Sequence, residues 1–198
     1  MGKIFPVDLP DSTIRMHDDG VGNYWFYHKG SFPADEPLLY KHIISSANSH
    51  IEIWDPYFNV NAPKNRDHDV FDLIKPNVTI LILTMKGLDS PRSYLLDIQN
   101  ALKLKIIKSM NVRFGLRVIN KGDIANQGDW FFHDRFLIID QSEVYIIGGS
   151  VGWHITAQQS TGIFKVDNPE TKQFIMSLYT EYWKQASKYK IDIQFLHT

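Results

Sequence analysis

The chain has no cysteine among its 198 residues. That absence excludes a disulfide framework, a thiolate metal site and a cysteine nucleophile, and it fits a reducing compartment. The net charge is also small, because 21 basic side chains nearly balance 22 acidic ones and the sum is −1. With so little net charge, no overall field attracts nucleic acid or acidic lipid, so any anion site must be local.

Long apolar runs are missing as well. No segment approaches the roughly 18 consecutive apolar residues that span a bilayer. The first residues, MGKIFPVDLPDS, lack the apolar core of a signal peptide. Gly2 does not begin a myristoylation signal, because Pro6 stands where Ser or Thr is required. We therefore expect a soluble intracellular protein in the cytoplasm.

The residues that are present suit one substantial α/β domain, since 43% are hydrophobic and 13% aromatic. Turn signals and aromatic residues predict a hairpin over residues 13–28. Apolar periodicity predicts strands over 51–54, 78–84, 112–119, 131–139, 143–147 and 161–166, and helices over 38–49, 70–74, 91–110 and 169–188. This alternation predicts a mixed sheet covered on both faces. Residues 1–35 are interpreted as an N-terminal extension and 36–198 as the main domain.

One stretch, FFHDRFLIIDQSEVYIIGGS, places a few polar residues inside an apolar run. Buried polar groups need partners or a function. On a strand, His133 and Arg135 project to the same face, whereas Asp140 has the opposite parity and acts from the turn beyond. The guanidinium of Arg135 fits two phosphate oxygens, and Ser150 offers a hydroxyl beside backbone N–H groups that can form an anion nest. A histidine beside a bound phosphate can act as its nucleophile.

The same residues also have purely structural interpretations. His133 can be a core histidine bonded to a carboxylate, Ser150 can be a turn residue, and Arg135 with Asp140 can form a buried ion pair. Three further residues are candidates for lining a ligand pocket and have turn or packing roles as alternatives: Asp55, His154 and Thr161. Asp55 is singled out because it ends a strand, where α/β sheets often place ligands.

The pattern His133-x-Arg135-x4-Asp140, followed by Gly149-Ser150, resembles the signature of the phospholipase D superfamily, in which lysine takes the place of the arginine. The segment IEIWDPY over residues 51–57 resembles the first core strand of that superfamily. The subgroup with His-Asp-Arg includes bacterial proteins of defence gene clusters and the C-terminal domain found beside MIT domains. The resemblance implies a phospholipase D-like α/β fold, with a mixed sheet flanked by helices on both faces.

The resemblance also implies a mechanism that uses neither metal nor cofactor. One histidine attacks phosphorus and a second protonates the leaving oxygen, so a chain with one motif must form a homodimer. Carried over, His133 is nucleophile or general acid, Arg135 binds phosphoryl oxygens, and Asp140 orients a histidine or braces the site. Gly149 and Ser150 contact the phosphate. Nucleic acid is the expected substrate, a phospholipid headgroup is the alternative one, and bacterial defence is the expected setting.

Departures from the family pattern keep other functions open. Arg135 replaces lysine, Gly152 stands where many active members have asparagine, and the spacing from Asp140 to Gly149 is longer than usual. One alternative is a non-catalytic module that binds phosphate or a phosphoinositide headgroup. Another is an assembly domain, within a larger complex, whose pocket is vestigial.

Overall fold

A computed structural model describes residues 14–18, 23–27, 39–56, 58, 74–85, 112–119, 134–148, 161–186 and 190–195. Within these ranges the chain forms nine strands and two helices. The strands are β1 Ile14–Asp18, β2 Asn23–Tyr27, β3 His50–Trp54, β4 Thr79–Met85, β5 Val112–Ile119, β6 Phe136–Ile139, β7 Glu143–Ile147, β8 Thr161–Val166 and β9 Lys190–Phe195. The helices are α1 Leu39–Ser46 and α2 Pro169–Gln185.

All nine strands belong to one sheet, in the order β1-β2-β8-β7-β6-β3-β4-β5-β9. Strands β3, β4 and β5 are parallel to one another, and every other neighbouring pair is antiparallel. The predicted α/β class with a mixed sheet is therefore confirmed. Because β3 pairs with β6 in the antiparallel sense, with Trp54 opposite Phe136, the carboxyl end of β3 lies beside the beginning of β6.

Several element predictions are confirmed closely. Strands β5, β7 and β8 have the predicted bounds, and α2 begins with Pro169 in its first turn after the N-cap Asn168. The predicted N-terminal hairpin is present as β1 and β2, and β2 pairs with β8, so the hairpin continues the main sheet. The division at residue 35 into extension and domain stays a prediction.

Other element predictions need correction or lie outside the described residues. The strand predicted over 131–139 begins at Phe136, and residues 131–133 are outside the described ranges. Strand β9 was not predicted, although its sequence KIDIQF alternates apolar and polar residues, and it pairs with β5. The helix predicted over 91–110 and most of the one over 70–74 also fall outside, so among the described residues α2 covers one face of the sheet and α1 contacts β6.

Helix α2 packs against one face of the sheet, which we call the helix face. Its buried side chains Ile175, Tyr179 and Tyr182 are spaced about one turn apart and point to the same side. They form an apolar cluster with sheet residues Trp54, Leu83, Ile119, Ile138, Val144 and Val166. The hydroxyl of Tyr179 donates a hydrogen bond to the carbonyl of Leu81 at 3.0 Å, which ties the helix to β4.

Among the described residues, neither helix combines the length and apolarity needed to cross a membrane.

The opposite face of the sheet is equally buried. Its aliphatic side chains are at most 1% exposed: Ile51, Ile53, Ile80, Ile82, Leu116 and Leu137. Because side chains alternate along extended chain, this face also receives Asp55 after β3, Thr84 near the end of β4 and Arg135 before β6. These three polar residues are therefore brought to one end of a face that is otherwise apolar.

Helix α2 approaches the sheet closely at Gly115 of β5. A Cβ atom added there would lie 3.0 Å from Leu81 Cδ2 and 3.1 Å from two ring atoms of Trp183. The Trp183 ring has little freedom to retreat, because it stacks on Tyr179 with ring centroids 6.0 Å apart and carries the Arg117 guanidinium 4.3 Å from its centroid. The absence of a side chain at Gly115 thus allows the helix to approach the sheet.

We predict that Gly115→Ala lowers the free energy of unfolding by about 1–3 kcal/mol, the usual cost of overpacking a closely packed interface. Urea unfolding followed by tryptophan fluorescence measures the change, since the substitution displaces Trp183 directly. Equal or greater stability of the variant would show that α2 lies farther from β5 than the structure places it.

Candidate functional site

Arg135 is the cation of the motif, and three contacts hold it in position. Its carbonyl accepts a hydrogen bond from the N–H of Ile147 at 2.9 Å, which extends the β6–β7 pairing by one residue. Its Nη1 donates to the carbonyl of Gly148 at 3.1 Å, and its Nε lies 3.7 Å from Oδ1 of Asp55. The guanidinium is thus held between the end of β7 and the end of β3, with 17% of its side-chain surface exposed.

Asp55 is the anion of this pair, and its carboxylate is fully buried. Its N–H donates to the carbonyl of Leu83 at 3.0 Å, so the parallel β3–β4 pairing continues one residue beyond the strand. Its carbonyl accepts from the N–H of Phe58 at 3.2 Å, which begins the turn away from the sheet. The predicted position of Asp55, at the carboxyl end of a strand, is therefore confirmed, and the structure brings it to Arg135.

Thr84 is the third polar residue at this end of the sheet. The register that pairs Trp54 with Leu83 places Thr84 beside Asp55. Thr84 is fully buried, and among the described residues its Oγ1 has no hydrogen-bond partner. An unsatisfied buried hydroxyl costs stability, so a fully buried Thr near the end of an aliphatic strand is unexpected on packing grounds. Sequence reasoning missed it, although Thr84 interrupts the apolar run ILIL of β4.

Asp140 lies at the other end of β6 and serves the loop between α1 and β3. Its carboxylate accepts hydrogen bonds from the backbone N–H groups of Asn48, Ser49 and His50 at 2.8–3.1 Å. The hydroxyl of Ser49 adds a bond at 2.9 Å. Asp140 has a φ of 51°, a left-handed backbone conformation that aspartate tolerates better than most residues. The nest formed by residues 48–50 was not predicted, and no side-chain pattern marks it, because its donors belong to the backbone.

The electrostatics of Asp140 follow from these bonds. Burial alone would raise the pKa of its carboxyl group, but the hydrogen bonds from His50, Asn48 and Ser49 outweigh burial and hold the pKa far below its usual range. The ionised carboxylate therefore fastens the start of β3 to the end of β6. This role is to brace the strands that carry Asp55 and Arg135.

Arg135 and Asp140, two polar residues of the motif, therefore lie at opposite ends of β6. Five residues of extended chain from Arg135 to Asp140 span about 16 Å, so the two side chains do not meet. The alternative in which Arg135 and Asp140 form an ion pair is wrong, because the partner of Arg135 is Asp55. Bracing of the site agrees with the position of Asp140, and the orientation of a histidine by Asp140 stays a prediction.

Most other predicted site residues lie outside the described part of the chain, namely His133, Gly149, Ser150 and His154. Thr161 is described in its backbone alone and begins β8. The next residue, Gly162, accepts a hydrogen bond from the N–H of Gly148 at 2.8 Å, so Thr161 belongs to the same end of the sheet as Arg135. Roles for these five residues stay predictions.

The described residues suit recognition of an anion by a fixed guanidinium. Arginine has five N–H donors in a planar fork that matches the oxygens of a phosphoryl group, and its contacts with Gly148 and Asp55 restrict where the fork can point. The carbonyl of Gly148 is a partner that sequence reasoning also missed. Within the described ranges, no three His, Asp or Glu side chains are grouped to hold a metal ion.

Comparisons with known proteins place this chain among distant structural relatives. No family model matches it, and no curated protein matches it. TrmBL2, an archaeal chromatin protein with a novel mode of DNA binding, is 19% identical at a TM-score of 0.44, and the match covers 86% of this chain and 56% of TrmBL2. Nuc from Salmonella typhimurium, a phospholipase D family member, is 16% identical at a TM-score of 0.49, and the match covers 88% of this chain and 97% of Nuc. NucT from Helicobacter pylori is 15% identical at a TM-score of 0.45, and the match covers 74% of this chain and 86% of NucT.

These matches concern the fold at low identity. The chain spans little more than half the length of TrmBL2 but nearly the whole length of Nuc. A phospholipase D family member is thus among the proteins that this chain is similar to.

We predict that the Arg135–Asp55 pair is energetically coupled. Arg135→Met leaves a fully buried carboxylate without its cation and should lower the free energy of unfolding by about 3 kcal/mol, the low end for a broken buried pair, because Arg135 is partly exposed. In the double variant Arg135→Met/Asp55→Asn, part of that loss should be recovered, which gives a coupling energy of about 1–3 kcal/mol. Chemical denaturation of all four proteins measures it.

Arg113→Met is the matched control for this cycle, because Arg113 is an exposed arginine on a neighbouring part of the sheet. Its change in stability should stay within about 0.5 kcal/mol. Strictly additive effects of the Arg135 and Asp55 substitutions would reject the ion pair.

We also predict that Asp140 makes stability depend on pH. Since its pKa is lowered in the folded protein, its contribution is complete above the unfolded pKa of about 3.9 and is lost as the pH falls from there toward the folded pKa. Asp140→Asn keeps the shape and the tolerance for positive φ but removes the charge, and should cost about 2 kcal/mol at pH 7. Thermal unfolding between pH 2 and 7 should show a smaller acid-induced loss in this variant than in the wild type.

Asp134→Asn serves as the control for Asp140, because Asp134 is an exposed aspartate of the same motif. It should leave both the stability at neutral pH and its decline in acid nearly unchanged. If Asp140→Asn behaves like this control, the loop of residues 48–50 does not depend on the carboxylate.

Proposed function

We propose that this chain is a metal-independent phosphodiesterase of the phospholipase D type that cleaves nucleic acid. The observation that carries the proposal is the placement of Arg135. The cation of the motif is held at the carboxyl end of the parallel strands by Gly148 and Asp55. In open α/β sheets, ligands bind outside the carboxyl ends of strands. A fixed guanidinium at this position supports recognition of a phosphoryl group.

In the proposed reaction His133 attacks phosphorus and forms a phospho-histidine, while the bond to the leaving oxygen breaks. The same histidine of a second copy of the chain donates a proton to that oxygen, and water then cleaves the phosphorus–nitrogen bond. Arg135 binds the non-bridging phosphoryl oxygens and stabilises the charge that develops on them. Gly149, Ser150, Thr161 and His154 complete the proposed contacts with the substrate.

Asp55 and Asp140 act indirectly in this proposal. Asp55 is fully buried and orients Arg135, so it is a positioning residue instead of a residue that binds substrate. Asp140 fastens the beginning of β3 to the end of β6 and keeps both strands in register. The proposal includes a homodimer and a role in bacterial defence, both of which come from the motif resemblance. It also includes a cytoplasmic location, which comes from the composition of the sequence.

A second candidate is a module that binds phosphate or a phosphoinositide headgroup without cleavage. The observation that favours it is the compensation of Arg135 by the buried carboxylate of Asp55. A paired arginine can be a structural element that binds anions weakly without assisting chemistry. In the experiments below, binding of a phosphodiester without turnover is the result that selects this candidate.

The proposed activity is tested with bis(p-nitrophenyl) phosphate, single- and double-stranded DNA, RNA and phospholipid vesicles, all in excess EDTA. The wild type should release p-nitrophenol and cleave nucleic acid in the chelator. His133→Ala should reduce turnover by about 10²-fold or more, the contribution expected of a general acid–base group. His68→Ala, a histidine outside the motif, serves as the matched control and should keep full activity. Activity that survives His133→Ala, or that EDTA abolishes, rejects the mechanism.

The homodimeric site has a separate test. Sedimentation equilibrium should show a dimer, and adding excess His133→Ala protein to the wild type should lower the activity per wild-type subunit as mixed dimers form. This loss is expected only if each site needs a histidine from both copies. Unchanged activity per wild-type subunit, or an active monomer, would contradict a shared site.

A further inference from the structure

A buried carboxyl group on the helix face has no role in the proposed reaction. Glu52 of β3 is 6% exposed, and the register of the sheet places it between Leu81 of β4 and Ile138 of β6. Ile138 belongs to the apolar cluster under α2, and Leu81 packs against that cluster. A carboxyl group in such surroundings loses much of its hydration, which penalises its charged form.

The contacts of Glu52 compensate a negative charge only weakly. Nε2 of Gln141, in the turn between β6 and β7, donates a hydrogen bond to Oε1 of Glu52 at 3.1 Å. Among the described residues, no lysine or arginine forms an ion pair with Glu52. Burial therefore raises the pKa of Glu52, although the bond from Gln141 and the charge of His50 oppose this effect.

We propose that Glu52 makes the junction between β3 and the β6–β7 turn a pH-sensitive latch. The neutral carboxyl group keeps the turn closed over the start of β3, and the ionised group favours an open junction in which water hydrates the charge. Gln141 contacts Glu52 and is itself exposed, so water reaches the carboxyl group most directly when this turn moves. Because the junction holds β3 beside β6, its opening loosens the strands that carry the candidate site.

Asp140 fastens the same junction in the opposite charge state. Its ionised carboxylate accepts hydrogen bonds from the backbone of residues 48–50, and its pKa is lowered. Asp140 therefore stabilises the junction above its unfolded pKa of about 3.9. The contribution of Glu52 is complete below its unfolded pKa of about 4.3 and is lost as the pH rises through its raised folded pKa. We therefore expect the junction to be tightest in mildly acidic solution.

Other titratable groups near the junction have different pH dependences. Tyr179 of α2 lies on the same face, and burial together with the charge of Glu52 raises its pKa well above the usual value. Arg117 of β5 acts on Tyr179 in the opposite sense. Glu143, which begins β7, pairs with Lys165 at 2.8 Å, and hydrogen bonds from Lys165 and Tyr145 lower its pKa. Glu143 is thus a carboxylate of the same region whose ionised form is favoured, which makes it a matched control.

The latch is tested by NMR on the wild type. The chemical shift of the Glu52 carboxyl carbon reports its titration, whose midpoint should lie above about 4.3, and the side-chain amide of Gln141 should shift with the same midpoint. The N–H of Asp140 donates to the carbonyl of His50 at 2.9 Å, so its hydrogen exchange reports opening of the junction. Its protection should fall as the pH rises through that midpoint, by about tenfold for each unit by which the pKa is raised.

Glu52→Gln keeps the shape of the neutral carboxyl group and cannot ionise. The protection of the Asp140 N–H should therefore lose this pH dependence and exceed the wild-type protection at pH 8. Glu143→Gln should retain the wild-type dependence. The N–H of Asp55, which donates to the carbonyl of Leu83 at the other end of β3, is the internal reference and should change less than the N–H of Asp140.

Four results would overturn the inference. They are a Glu52 titration at or below about 4.3, a Gln141 amide that does not follow it, an unchanged pH dependence in Glu52→Gln, and an equal loss of protection at Asp55 and Asp140. The third result would assign the dependence to another group such as His50, and the fourth would show global unfolding. Three of the four are measured on the wild type, so the inference is testable even if Glu52→Gln does not fold. Since none of these measurements involves turnover, the inference and the proposed function can fail separately.

Discussion

The antiparallel pairing of β3 with β6 is the constraint on which the candidate site depends. With Ile51 opposite Ile139 and Trp54 opposite Phe136, the register determines what meets at each end of the two strands. At one end Asp55 meets Arg135, and at the other Asp140 meets the backbone of residues 48–50. A slip of one residue would move every side chain to the other face and would separate both pairs together. The hydrogen bonds of Asp140 therefore help to preserve the geometry around Arg135 without approaching it.

Sequence patterns predicted the strands and α2 best where several local signals, such as apolar runs and turn residues, indicate the same structure. Strands β5, β7 and β8 have Val, Ile and Phe in short runs bounded by turn residues, and the signal for α2 combines an N-cap with Pro169. Strand β9 was not predicted for two reasons. Its alternation of apolar and polar residues is short, and its place at the sheet edge depends on pairing with β5, which is distant in sequence. Periodicity within a segment cannot reveal a partner 70 or more residues away, as the pairing of Val112 with Phe195 illustrates.

The candidate site was predictable in its residue types and only partly in its pairing. The motif identified Arg135 as a cation and the strand end identified Asp55 as a pocket residue, but the carboxylate that the sequence offered as an ion-pair partner of Arg135 was Asp140. What decides between the two carboxylates is strand register, a tertiary property. Asp140 follows Arg135 by only five residues, yet the extended strand β6 carries it to the opposite end of the sheet. Proximity in sequence is therefore a poor guide to contact along a strand.

The same geometry explains what an arginine offers at this position. Its guanidinium reaches the carbonyl of Gly148 with Nη1 and the carboxylate of Asp55 with Nε, two acceptors that approach from different strands. A planar fork serves several acceptors at fixed angles, whereas a lysine ammonium is a compact point charge on a flexible stem. A lysine at 135 has a single ammonium group, so it would contact the acceptor of one strand and leave the acceptor of the other without this contact. Arg135 and the buried aspartate after β3 are thus two parts of one arrangement, in which the cation also connects β3, β6 and β7.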